Sequence, residues 1–235
     1  MTSIILLGLL MGMRHAIESD HVAAVASLSA DAPTRRRMIE LGALWGGGHA
    51  LTLFAVGAVF VAFDWGAPEV FSSWLELVVG FMLVVLGADL VRRVIRDRIH
   101  FHIHAHDRVK HVHVHAHDAN AHARHDAAQH AHRHARGVSV RAFTVGMVHG
   151  MAGSAALVVL VLGTIESFWL GLGYMALFGV GSLVGMALLS LTISVPLGLS
   201  AKSLTWGYNG LQGAIGAWTL YLGGTIVIER GLPLF

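Results

Sequence analysis

Cysteine is absent from the 235 residues, which excludes a disulfide scaffold, a thiolate metal site and a cysteine nucleophile. Any metal chemistry must therefore use nitrogen and oxygen donors. Charge is scarce as well: 13% of residues are charged and 55% hydrophobic, with a mean hydropathy of +0.65, so neither a soluble domain nor a disordered chain fits. The net charge of +2 and the pI near 9.4 come from arginines in a few short stretches, which argues against nucleic acid as a partner. The chain has no nucleotide-binding signature and no nucleophile with a positioned base, so neither ATP coupling within it nor an enzyme is expected. What it has in quantity is glycine, 28 residues, and histidine, 17.

A membrane-crossing helix needs about 20 mostly apolar residues, because the hydrocarbon layer is about 30 Å thick and each helical residue rises about 1.5 Å. Six stretches qualify: Ser3 to Leu28, Leu41 to Phe63, Val70 to Val91, Val140 to Gly163, Leu170 to Val195 and Trp206 to Ile228. Breakers separate them, among them Asp31 and Pro33, Asp64 to Pro68, and Pro196, which closes the fifth. The first is not a cleaved signal peptide, since it lacks a basic start and carries Arg14, Glu18 and Asp20 inside. Trp65, Trp74, Trp169 and Trp206 fall near span ends and read as interfacial anchors. Arg35 to Arg37, Arg92, Arg93, Arg96, Arg98, Arg136, Arg141 and Lys202 all flank the loops after spans 1, 3 and 5, whereas Asp64, Glu69 and Glu166 lie in the others. Basic loops stay in the cytoplasm, so both termini are expected outside a cytoplasmic (inner) membrane.

Composition divides the chain into a first three-helix half, residues 1–99, a histidine-rich loop, 100–136, and a second half, 137–235. Thirteen of the 17 histidines fall between residues 100 and 134, in runs such as HFHIHAH and HVHVHAHD. The alternation has strand character, but so many polar residues cannot bury a face, and the expectation is a flexible cytoplasmic chelator or an inert polar linker. Neutral imidazole binds nickel, cobalt, copper or zinc, so the loop names a class of ion.

GMRHAIESDHVAAV in span 1 is echoed by GMVHGMAGSAALVV in span 4, with Gly12, Met13 and His15 against Gly146, Met147 and His149. Each opens a set of three spans, and two such sets in sequence have opposite orientation, the inverted-repeat plan of many secondary transporters. The expected fold is an all-α integral membrane protein of six helices in two inverted three-helix repeats. Four histidines lie within spans, His15, His21, His49 and His149, and ionisable groups at that depth mark ion or substrate paths. Counting residues from the cytoplasmic ends puts Asp20, His21, His49 and His149 at one level, with His15 nearer the middle. On a continuous helix His15 would point about 140° from Asp20 and about 120° from His21, so one site for all three requires a helix that is unwound there. Arg14 and Glu18, spaced i, i+4, are expected to pair and leave Asp20 uncompensated. Asp89 lies close enough to Arg92 and Arg93 for a simple ion pair.

Arg14-His15-Ala16-x-x-x-Asp20-His21 resembles the RHAxxxDH signature of the nickel/cobalt transporter family, and Gly48-His49 resembles that family's second motif. His149 in GMVHG is similar, more loosely, to related metal-transporter and urease-accessory-type membrane proteins, and the histidine-rich loop resembles that of nickel/cobalt efflux proteins. The resemblance implies that His15, Asp20 and His21 select the metal and that His49 is a partner. Six spans here depart from the usual eight. The function expected is secondary transport of Ni²⁺ or Co²⁺, with Zn²⁺ also compatible, through His15, Asp20, His21, His49 and His149; no cofactor beyond the transported ion is implied. Uptake is the first choice. A proton-coupled exporter, or a metal-buffering accessory protein working with a metallochaperone or nickel-enzyme maturation factors, are the alternatives. Sequence gives no oligomeric state.

Overall fold

A computed structural model describes residues 2–30, 32, 34–63, 69–97, 100–106, 109–115, 139–152, 165, 167–203 and 205–232. Asp31, Pro33, the 64–68 connection with Trp65, Arg98, residues 116–138 with Arg136, residues 153–164 and Glu166 lie outside them. The described residues form seven helices: α1 (Thr2–His15), α2 (Ser19–Ser29), α3 (Arg35–Ala62), α4 (Glu69–Asp97), α5 (residues 139–152), α6 (Phe168–Ser203) and α7 (Thr205–Gly231). α3, α4, α6 and α7 each contain a stretch long and apolar enough to cross a membrane. This is a multi-pass, all-helical membrane architecture.

The first expected span is two helices. Ile17 N–H bonds to the Arg14 carbonyl (3.1 Å) and Glu18 N–H to the His15 carbonyl (3.1 Å), tight i−3 bonds that end α1. Glu18 then turns extended (φ −64°, ψ 151°), and α2 restarts at Ser19. α2 is sheathed by α3, α4, α6 and α7; its Ala23, Ala24, Val25, Ala26, Ser27 and Ser29 are all buried, which only small side chains allow in so crowded a place. Its far end is tied down by polar bonds: Tyr208 Oη and Gln212 Nε2 both donate to the Ala30 carbonyl (2.7 Å each), and the Ser27 and Thr219 hydroxyls meet at 2.9 Å.

α3 begins six residues earlier than expected because Thr34 Oγ1 caps it, accepting from Arg37 N–H at 3.2 Å. α6 runs through Pro196, which was expected to close it. Membrane helices tolerate proline because Ser and Thr hydroxyls and neighbouring helices take up the freed backbone groups; Thr192 and Ser194 donate to the Leu188 and Leu191 carbonyls just before it.

α4 runs along α7, while α6 lies along both α1 and α3. Glycine sets how close these helices come. A Cβ on Gly12 would strike the Phe178 carbonyl, and one on Gly181 the Leu9 carbonyl; equally, a Cβ on Gly146 would strike the Trp45 carbonyl, and one on Gly48 the Phe143 carbonyl. Arg37, Arg93 and Arg141 collect at one end of the bundle. There Arg37 Nη2 donates to Ser139 Oγ (2.7 Å), and Asp89 pairs with Arg141 (2.9 Å) and Arg93 (3.5 Å), so Asp89's partners come from α5 as well as its own helix. At the opposite end Glu76 of α4 pairs with Arg230 of α7 at 2.7 Å. Trp74 and Trp169 are exposed, as anchors would be.

The histidine-rich segment corrects another expectation. His100–His106 (β1) and Val109–His115 (β2) pair as an antiparallel hairpin, with His100, His102 and His104 opposite His115, His113 and His111. Two runs of equal length with the same two-residue alternation satisfy each other's backbone groups, and pairing needs no second layer to cover a face.

The glycine notches are open to test by one small substitution. Gly12→Ala and Gly146→Ala are each expected to cost about 1–3 kcal/mol through overpacking, whereas Gly47→Ala, whose Cβ meets nothing, should be neutral or stabilising by about 0.5–1 kcal/mol; thermal unfolding in detergent separates the two classes.

Candidate metal centre

The break between α1 and α2 gathers the five sequence-predicted residues. His15 closes α1 and Asp20 and His21 open α2, while His49 projects from the middle of α3 and His149 from α5. His21 sits at the centre. Its ring lies 4.3 Å from those of His15 and His149 and 5.1 Å from that of His49, centroid to centroid. His49 is 5.4 Å from His15 and 5.8 Å from His149. Two ligand groups result, His15 with His21 and His49, and Asp20 with His21 and His149, each with its donor atoms within 4.8 Å of one another. His15 therefore joins the others in one cluster, because the tight turn at residues 16–18 ends the regular rise and redirects the chain.

Two carboxylates fix the imidazoles. Asp20 Oδ1 accepts from His21 Nδ1 at 3.0 Å and from the His21 backbone N–H at 2.9 Å, and Asp20 Oδ2 accepts from His149 Nε2 at 3.1 Å. Glu18 Oε2 lies 3.0 Å from His15 Nδ1. A carboxylate only accepts, so each bonded ring nitrogen carries the proton and the other keeps a lone pair. Those remaining nitrogens, Nε2 of His15 and His21 and Nδ1 of His149, are buried without a hydrogen-bond partner among the described residues, as are both nitrogens of His49. An unmet buried polar atom costs about 1–3 kcal/mol, and five at one place call for a shared ligand.

The expected Arg14–Glu18 pair does not form, since the helix ends between them and the i, i+4 relation disappears; Glu18 turns to His15, and no carboxylate among the described residues pairs with Arg14. Asp20 accepts hydrogen bonds from two imidazoles and an amide, and no Lys or Arg among the described residues pairs with it.

A cavity of about 530 Å³ reaches this cluster, touching Glu18, His15, Asp20, His21 and His149, with Glu76 farther along. It is lined by Met11 and Arg14 of α1 and by residues within the first three turns of α4 and α6 and the last two of α7, towards the end of the bundle where Glu76 meets Arg230. His49 does not line it and lies behind the others. Trp45 was not among the expected site residues. Fully buried, its ring lies 5.3 Å from His149, 5.4 Å from His21 and 5.9 Å from His49. The available signal was its i−4 spacing from His49 in WGGGH.

The chain is 32% identical over 203 residues to the urease accessory protein UreH of Bacillus sp. (strain TB-90), covering 86% of this chain and 81% of that protein. It belongs to the UreH family. It is also similar to two Arabidopsis thaliana proteins, Chloroplast protein FOR GROWTH AND FERTILITY 1 and 2, at 26% and 25% identity over 76% of this chain; the alignments take in 46% and 44% of those longer proteins. No family model matches the sequence, and no solved structure is similar to it. Membership through UreH is carried by most of the chain, not by the short motifs alone.

The convergence of α2 and α5 can be tested without any functional assay, because the chain has no cysteine. With cysteines at positions 20 and 149, a short bifunctional thiol reagent should cross-link the pair, and a cysteine pair at 20 and 180, whose native Val180 is an outward residue of α6, should remain unlinked; mass spectrometry of the digested protein reads both.

Proposed function

We propose that this chain is a secondary permease for Ni²⁺ or Co²⁺, with Zn²⁺ as a chemically compatible competitor, working in the direction of uptake. The observation that carries this reading is the set of buried imidazole nitrogens without hydrogen-bond partners among the described residues, gathered from α1, α2, α3 and α5 beside a cavity. Neutral imidazoles oriented by carboxylates are the donor set that borderline divalent metals prefer. A helix broken at that depth, with its ends turned to a polar cavity, is the way discontinuous transporter helices build ion sites. The similar Bacillus protein is named as a urease accessory protein, and urease is a nickel enzyme, which supports nickel over the other ions and nickel-enzyme maturation factors as downstream partners.

Glycine packing supports two inverted halves. Gly12 meets Phe178 and Ser182 just as Gly146 meets Trp45 and His49, and Gly181 meets Leu9 and Met13 just as Gly48 meets Phe143 and Met147. Adding 134 to a position in the first helix of one half, or 133 in the second, reproduces the partner contact. α1 with α2 and the whole of the fourth span would complete six crossings. Uptake is favoured energetically, because a divalent cation entering an inside-negative cell gains about 4.6 kcal/mol per 100 mV, twice the single-charge value; export would need a coupled ion.

Radiolabelled Ni²⁺ accumulation by cells expressing the protein tests the reading. His21→Ala and His49→Ala should each lower accumulation at least about tenfold while the protein still reaches the membrane, and deletion of residues 100–134 should leave substantial uptake. The opposite pattern, with the deletion silent and the histidine variants active, would make the chain a metal buffer; faster entry into inverted than right-side-out vesicles would make it an exporter.

A further inference from the structure

Glu18 sits at the N-cap of α2, a position where a side-chain oxygen ordinarily accepts from the first turn's backbone amides. It makes no such bond. Its carboxylate turns back across the break instead, and Oε2 meets His15 Nδ1 at 3.0 Å. The arrangement matches its neighbour two residues on, where Asp20 Oδ1 takes His21 Nδ1 at 3.0 Å. Both imidazoles thereby present Nε2, buried and without a partner among the described residues, to the group they form with His49. Among the described residues His15 has no other hydrogen-bonding neighbour that could choose between its two ring nitrogens; its ring contacts there are His21, His49 and the apolar face of Phe178 at 5.3 Å. Glu18 itself faces the cavity and is 57% exposed.

We propose that Glu18 is a positioning residue: its carboxylate holds His15 in the Nδ1–H form and aims the Nε2 lone pair at the ion, as Asp20 does for His21. The inference rests on the permease reading above and deepens it, giving the ion site two carboxylate–imidazole units from one chain break. Without an acceptor at Nδ1, the His15 proton divides between the two nitrogens and the ring turns freely, so a donor is lost for part of the time. A bland alternative assigns Glu18 only a charge effect, drawing cations into the cavity.

Co²⁺ entry into proteoliposomes carrying the full chain distinguishes them. Glu18→Ala should raise KM for Co²⁺ by about tenfold, and Glu18→Gln, which keeps an oxygen acceptor of the same reach without the charge, should restore most of that loss. A Glu18→Ala change made in a His15→Ala background should add nothing further. Equal loss in the Ala and Gln variants would overturn positioning in favour of charge alone, and wild-type KM in Glu18→Ala alongside a raised KM in His15→Ala would overturn it outright. If the wild-type chain carries no Co²⁺ into the vesicles the permease reading itself falls, whereas normal transport by both His15→Ala and His21→Ala removes the ion site and Glu18's role with it. Nitrogen-15 NMR of the histidine-labelled wild type, with His15 assigned by its loss in His15→Gln, adds a test needing no Glu18 variant: the Nδ1–H form is expected, and the Nε2–H form would contradict the proposal.

Discussion

The bundle is organised around a polar interruption that lipid would not tolerate. Ending α1 at His15 and restarting at Ser19 exposes backbone and side-chain donors in the middle of an apolar assembly, and such a break survives only where protein encloses it or a polar cavity meets it. Both conditions hold. α2 is buried among four helices whose approach depends on its alanines and serines, while the cavity reaches the break from one end only. The glycine contacts of α1 with α6 and of α5 with α3 serve the same purpose, since they bring His15 and His149 close enough to share neighbours with His21 and His49.

The two ends of the cluster differ in chemistry. Towards the cavity stand the carboxylates, with Asp20 joining His21 to His149 and Glu18 joining His15 to the vestibule. Away from it stand His49 and the indole of Trp45, buried and lacking any charged neighbour in contact among the described residues. Beyond them, hydrogen bonds from Tyr208, Gln212 and Thr219 fasten α2 to α7. Among the described residues, carboxylate-bonded imidazoles thus face the cavity, with His49 and the Trp45 indole behind them.

Much of this was legible in the residues themselves. Four histidines and an aspartate inside apolar runs stood out because ionisable groups at that depth are costly, and the structure brings these five together. The angular mismatch of His15, Asp20 and His21 on a regular helix announced the break, since it followed from helix geometry alone. What failed were inferences that presumed local regularity. Arg14 and Glu18 were paired by a spacing that matters only on an unbroken helix. Pro196 was treated as a terminator, although Thr192 and Ser194 bond to the preceding turn beside it. Trp45 escaped notice because its partners His21 and His149 are distant in sequence, and the hairpin at residues 100–115 because pairing between its strands was weighed only against burial of a face.

The central claim is that imidazoles from separate helices hold one cation inside the membrane. Crystals of the full chain grown with Co²⁺ and measured at the cobalt absorption edge test it most directly. The account predicts an anomalous peak within bonding distance of His21 Nε2 and of ring nitrogens from His15 and His49. Anomalous density confined to residues 100–134, with the His21 neighbourhood silent at saturating Co²⁺, would contradict it.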